Sequence, residues 1–343
     1  MAIPFILAAG AGLTGLVTAI RGGKKMKEAN DTMKSADQRY KENIARFETM
    51  NKATLQAMDE LGKMELEILD SFQAFSDTME RIQNRPEFSE YKKDDITLPA
   101  YNSEELKKVS IGAGVLLGGL GGAALGTAGG FAAAGATTAA VMAFGTASTG
   151  TAIASLSGAA AVNATLAAIG GGAIAAGGGG IALGTTILGA TTLGVGLLVG
   201  GIVFNLTGSK LSDKADDAWD QMKKAEGQIN KICAYLTRLT EAESKFADTM
   251  RRVDRIYHRH LEKLQDLVVI TGKTDWTEYT DAEKRLTENT VLLVGLLYSM
   301  CKVQLVRQTE SEEEPNEVNT EEIDSTIQNV KEVLNDRGLA MIL

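Results

Sequence analysis

Between Val109 and Ser209 the chain carries no Asp, Glu, Lys, Arg or His, a run of 101 residues that also holds 27 of the 37 glycines. A water-facing surface needs ionisable side chains to stay dispersed, so so long a run without one has to be covered by protein or by lipid. The alternative is a flexible Gly/Ala-rich linker of low complexity. The aliphatic content opposes it: thirteen large aliphatic or aromatic residues fall between Ile181 and Leu206. The near-zero mean hydropathy of the whole chain, −0.03, therefore averages two unlike parts.

Within the run, the stretch SIGAGVLLGGLGGAALGTAGG places glycine at every fourth position: Gly114, Gly118, Gly122, Gly126 and Gly130. Residues four apart are neighbours on a helix surface, so the five form one narrow stripe. A stripe without side chains lets two helix backbones touch, the small-xxx-small logic of pairing in lipid. Three candidate spans follow, 109–134, 137–169 and 173–207, with the triple glycine at 170–172 and the quadruple glycine at 177–180 as turns. The third span is the most apolar and supplies the candidate insertion residues Leu188, Leu197, Leu198, Val199, Ile202, Val203 and Phe204. At roughly 0.3 to 0.6 kcal/mol per large apolar residue it inserts with an order of −4 to −8 kcal/mol before polar costs. In water each glycine penalises helix by about 1 kcal/mol relative to alanine. At roughly 1.5 Å per residue the run suffices for about four crossings of a 30 Å hydrocarbon core. A segment that is a poor helix in water and a middling one in lipid suits a protein that hides it in one state and inserts it in another.

Outside this run the pattern is helical. Tyr40, Ile44, Phe47, Asn51, Thr54, Met58, Leu61, Glu65, Ile68, Phe72, Phe75, Met79 and Ile82 follow steps of four and three, a heptad seam with three polar lapses over a helix at about 27–84. Ile232, Leu236, Leu239, Glu243, Phe246, Met250, Val253, Tyr257, His260, Leu264 and Leu267 do the same over about 211–269. The simplest role for both stripes is core packing between two antiparallel helices. Segments 85–103, with Pro86 and Pro99, and ESEEEPNE read as connectors; Ser103 reads as the N-cap of a new helix. Shorter helices are expected at about 280–307 and 319–336, the latter presenting Ile323, Ile327, Val330 and Leu334. No strand is expected outside the glycine-rich run. The divisions are thus an apolar segment at 1–23, a long heptad helix at 24–85, a connector and helix start at 86–108, the uncharged region at 109–209, a long helix and core helix at 210–308, and an acidic linker with a terminal amphipathic helix at 309–343.

Charge and chemistry narrow the function classes. A formal net charge of −9 argues against a nucleic-acid surface. The two cysteines, Cys233 and Cys301, lie in helical patterns and read as reduced core residues. The N-terminal apolar run is followed, not preceded, by basic residues Arg21, Lys24, Lys25 and Lys27, the reverse of a cleavable secretory signal. By the positive-inside rule those residues keep the following helix cytoplasmic. GAGLTG at 10–15 has the GxGxxG form, but a long helix follows where a second strand is required, and GVGLLVG at 194–200 lies between apolar segments; no nucleotide cofactor is expected. His258 and His260, the only histidines, point in different directions on a helix, so neither a metal centre nor a catalytic set is expected.

A long amphipathic helix, a glycine-rich apolar block and a second long helix alongside resemble, over residues 27–307, the bacterial α-helical pore-forming toxins of the cytolysin A and haemolysin BL type. The same order more loosely resembles the apolipoprotein L family. The resemblance implies an all-α, elongated bundle with 109–209 as helical hairpins. It also implies a non-enzymatic protein without cofactors that oligomerises and inserts into a bilayer, its partners being lipid, further copies of itself and a second protein component. The rival expectation is a constitutive membrane-anchored coiled-coil scaffold or sensor, and a nucleotide-dependent enzyme is the third. Localisation is expected at a membrane, with a soluble cytoplasmic or released pool.

Overall fold

The computed structural model describes residues 22–119, 211–307 and 317–340. They are predominantly helical, as the heptads require. Helix α1 runs Gly22–Glu80, α2 Ser103–Gly119, α3 Leu211–Gln265, α4 Asp281–Met300 and α5 Thr320–Asp336. No proline falls inside α1, and the chain breaks after it where Asn84 takes a φ of 54° just before Pro86. A π-helical turn, Asp266–Ile270, closes α3, and Gly272 at a φ of 69° makes the turn beyond it. The start of α4 is fixed by a capping box: the Thr280 hydroxyl accepts from the Glu283 amide, while the Glu283 carboxylate accepts from the Thr280 amide.

The chain divides into two compact units. Among described residues, the first comprises 22–53 of α1 and 211–237 of α3; the second comprises 54–119, 238–307 and 317–340. The first unit buries Ala29, Ala36, Tyr40 and Phe47 from α1 and Ala218, Met222, Ile229 and Leu236 from α3. The second unit has the larger core, in which Met58, Leu61, Phe72, Phe75, Phe246, Tyr257, Leu293 and Leu297 are fully buried. Phe72 and Tyr257 meet edge to face, with centroids 6.0 Å apart.

Four expectations need correction. First, α1 and α3 are parallel, not antiparallel. In the first unit Arg39 pairs with Glu226 at 3.0 Å and Arg46, further along α1, bonds Asn230, further along α3. In the second unit the Thr54 and Thr240 hydroxyls lie 2.9 Å apart, and the Ser71 hydroxyl donates to the Tyr257 oxygen at 3.3 Å. A heptad stripe has no direction of its own, so the same apolar positions serve either arrangement. Second, strands exist outside the glycine-rich run. β1 (Tyr91–Lys93) pairs antiparallel with β2 (Ile96–Leu98), Tyr91 opposite Leu98, and β3 (Val306–Arg307) with β4 (Glu317–Val318). The first hairpin turns on Asp94 and Asp95, with Asp94 at a φ of 48°, the left-handed conformation a two-residue turn demands. Third, the cap of α2 is Asn102, not Ser103: the Asn102 side-chain oxygen accepts from the Glu105 amide at 3.1 Å. Fourth, the helix expected to reach about residue 307 stops at Met300, and β3 follows.

Candidate functional site

The chain enters its uncharged run through α2, whose two halves differ in chemistry. The first half carries Glu104 and Glu105 in the opening turn, where a helix N-terminus favours negative charge, and a Lys108–Glu104 ion pair at 2.6 Å. The second half, from Val109, has no charge. Both halves lie along α1 in antiparallel sense. Ser103 donates to Glu80 at 2.9 Å, and Lys107 reaches Glu80 at 2.7 Å and Asp77 at 3.4 Å. Two turns on, Ser110 is 1 % exposed and donates to the Asp70 backbone oxygen at 2.6 Å. Leu106, Val109 and Ala113 are buried on the same side, and Tyr298 of α4 bonds Glu105.

Gly114, the first residue of the stripe, continues this contact. A Cβ there would stand 2.8 Å from Asp70 Oδ1. The group that Gly114 approaches is thus the Asp70 side chain of α1 of the same chain. Gly118 lies within α2. Gly122, Gly126, Gly130, Leu188, Leu197, Leu198, Val199, Ile202, Val203 and Phe204 lie outside the described residues, as do both glycine motifs of nucleotide-binding form.

The electrostatics around α2 are those of a half-exposed seam. Hydrogen bonds from Lys107 and Ser103 hold the Glu80 carboxyl below the usual range, and the same ion pair raises Lys107. Partial burial pushes Asp70 up. Pairs this exposed contribute at most about 1 kcal/mol each and weaken with salt. They orient α2 more than they fasten it.

Elsewhere the two histidines of α3 sit in unlike surroundings. His258 pairs with Asp254 at 3.2 Å, which raises its affinity for a proton. His260 is buried on the seam with Nδ1 2.8 Å from the Ile256 carbonyl oxygen, and burial pushes its pKa down. Among the described residues no three His, Cys, Asp or Glu side chains converge to hold a metal ion. A groove of about 360 Å³ between α3 and α5 is lined by Asp248, Arg252, Val330, Lys331 and Leu334. A hollow of about 20 Å³ beside Tyr101 and Tyr298 has room for little more than one water. Cys233 and Cys301 are free and buried.

Two seam residues prove more unusual than their place in the heptads announces. Glu65 is completely buried, and Glu243 is 5 % exposed. Burial, reinforced by the nearby Glu243 charge, pushes Glu65 well above the usual carboxyl range. Burial likewise pushes Glu243 up to about 7. The signal for both was a charged residue at a position the stripe reserves for apolar side chains.

No described helix is long and apolar enough to cross a membrane. No protein-family model, curated protein or solved structure shows a significant match to the chain.

Proposed function

We propose that this chain is a non-enzymatic, oligomerising membrane-active protein that inserts residues 109–209, as helical hairpins carried by an elongated bundle, to form a pore or remodel a bilayer. The observation that carries the reading is the continuity of α2: one helix leads from charged residues seated on α1 directly into a run of 101 residues without ionisable groups. The ties that seat it, Lys107 to Glu80 and Asp77, are partly exposed and individually weak. Withdrawal of α2 from α1 would free the contact face begun by Ser110 and Gly114 for another helix, of this chain or of a second copy.

The test is release of a trapped dye from liposomes by the purified full chain, with crosslinking to count copies. Replacing Gly118, Gly122 and Gly126 together with leucine makes the span more apolar and more helical. It also separates backbones that must touch. Retained lipid binding with fewer crosslinked oligomers and less leakage is expected. Unchanged oligomers and unchanged leakage would refute a contact-face role.

A second reading rests on the N-terminus, where an apolar run precedes Arg21, Lys24, Lys25 and Lys27. It makes the chain a permanently anchored coiled-coil scaffold or sensor. Alkaline carbonate extraction separates the two. A soluble pool that becomes extraction-resistant supports conditional insertion; exclusive membrane residence supports the anchor.

A further inference from the structure

The core of the second unit contains an acid whose ionised form no described residue stabilises. Glu65 of α1 has no exposed surface, and neither carboxyl oxygen has a hydrogen-bond partner. Its neighbours along the seam, Leu61, Ile68 and Phe72, are buried apolar residues. From α3 the group that acts on it is another acid, Glu243, which is itself buried between Leu239 and Phe246 on the facing stripe. Just beyond α4, the buried Cys301 thiol lies 3.9 Å from the Glu65 backbone oxygen, donating to it. That thiol feels Glu65 and Asp254, and burial with these two acids drives it well above the usual thiol range, so it brings no positive charge. The groups acting on Glu243 are Glu60, Asp248 and Arg251. Arg251, the one cation among them, is half exposed and held by Asp248 at 2.7 Å. Among the described residues no cation therefore balances the buried pair, and a carboxylate without a donor or a counter-charge is strongly disfavoured in such a core.

We propose that Glu65 and Glu243 form a proton-operated lock in the core of the second unit: both acids are neutral while the α1–α3 seam is closed, and their ionisation as pH rises forces that seam to loosen. The sign follows from linkage. Both groups bind protons more tightly in the folded unit than in the unfolded chain, where they titrate as ordinary glutamates near 4.3. Their stabilising effect is complete below that range and is lost as pH climbs through the folded value, which is about 7 for Glu243 and raised well above 4.5 for Glu65. Acid closes this seam. Most salt-bridged folds behave in the opposite way, because their acids are stabilised as carboxylates. The lock operates whether or not the chain enters a bilayer.

Trp276 lies in the second unit and Trp219 in the first, so replacing Trp219 with phenylalanine leaves a fluorescence reporter for the relevant core. In that background the full chain is unfolded by denaturant at pH 5 and pH 8, with the native acids, with Glu65→Gln, with Glu243→Gln, and with both. The native folding constant is expected to fall at least about tenfold between the two pH values. The double variant should lose most of that fall and should exceed the native chain in stability at pH 8. An equal fall in both, or none in the native chain, overturns the lock. Glutamine still buries an amide, so Glu65→Met, which fills a similar volume with apolar atoms, is measured beside it and should show the same flattening. An independent readout needs no substitution to fold well. Infrared spectra of the native chain at neutral pH should contain the carbonyl stretch of a protonated carboxylic acid, and its absence overturns the proposal.

Discussion

At the scale of single residues, the contact of Gly114 with Asp70 separates two effects that glycine usually confounds. A methyl group at 114 meets the end of a flexible side chain rather than backbone. Asp70 can swing away, and alanine gains about 1 kcal/mol of helix propensity. Gly114→Ala is therefore expected to change stability by less than about 1 kcal/mol. Leucine at the same position cannot be accommodated by moving one carboxylate. It should lift α2 and break the Ser110 bond to the Asp70 backbone, 2.6 Å in the native chain. Hydrogen exchange of the α2 amides is the measurement: near-native protection in Gly114→Ala, marked loss in Gly114→Leu. Equal protection in both would show that the close approach does not constrain α2. Glu65 teaches a complementary lesson. Its position in the stripe was legible in the sequence, but its protonation state depends on which groups stand opposite, and no periodicity reports that.

Among the elements, the long helices were the most legible part of the chain, because Ile68, Phe72, Phe75 and Met79 on α1 and Phe246, Met250, Val253 and Tyr257 on α3 recur at steps of three and four. The expected last helix, 319–336, matches Thr320–Asp336 closely, its stripe of Ile323, Ile327, Val330 and Leu334 buried. The hairpin of β1 and β2 was not legible: its strands are three residues each, too short for alternation to stand out, and only Asp94 in a left-handed turn marks it. The direction of packing was hidden for another reason. Apolar stripes specify faces, while the polar pairs that fix direction, Arg39 with Glu226 and Thr54 with Thr240, have the whole uncharged run and more between their members. A crosslink tests the direction. Thr54→Cys with Thr240→Cys replaces two hydroxyls 2.9 Å apart and should form a disulfide under mild oxidation, identified by peptide mapping. An antiparallel pair would place these residues on different turns and leave both thiols free. Of the candidate site, Gly114 and Gly118 fall among the described residues, and the approach of Gly114 to Asp70 of α1 is a pairing that the four-residue spacing does not specify.

For the whole molecule, net charge and composition separate cleanly along the chain: every one of the 35 basic and 44 acidic residues lies outside residues 109–209. The parallel packing of α1 on α3 has a consequence for synthesis. Partners across that seam are 183 to 187 residues apart in sequence. At about 5–20 residues per second, a ribosome that has finished the Arg39 or Thr54 region needs on the order of 10–40 s more before the matching part of α3 exists. Throughout that interval the apolar stripe of α1 lacks its cover from α3, and more than half of the residues made in it belong to the uncharged run. Local contacts cannot relieve this, because the seam is almost entirely non-local. Chains released after residue 210 should therefore be recovered bound to chaperones or in aggregates to a greater extent than full-length chains; sedimentation of translation products made without membranes and stopped at the two lengths measures the difference. Equal solubility of both would mean that α1 finds shelter without α3. The nascent chain thus passes through a window in which any apolar surface it encounters and its own unfinished partner compete for the same face, and the pace of elongation decides which one it meets first.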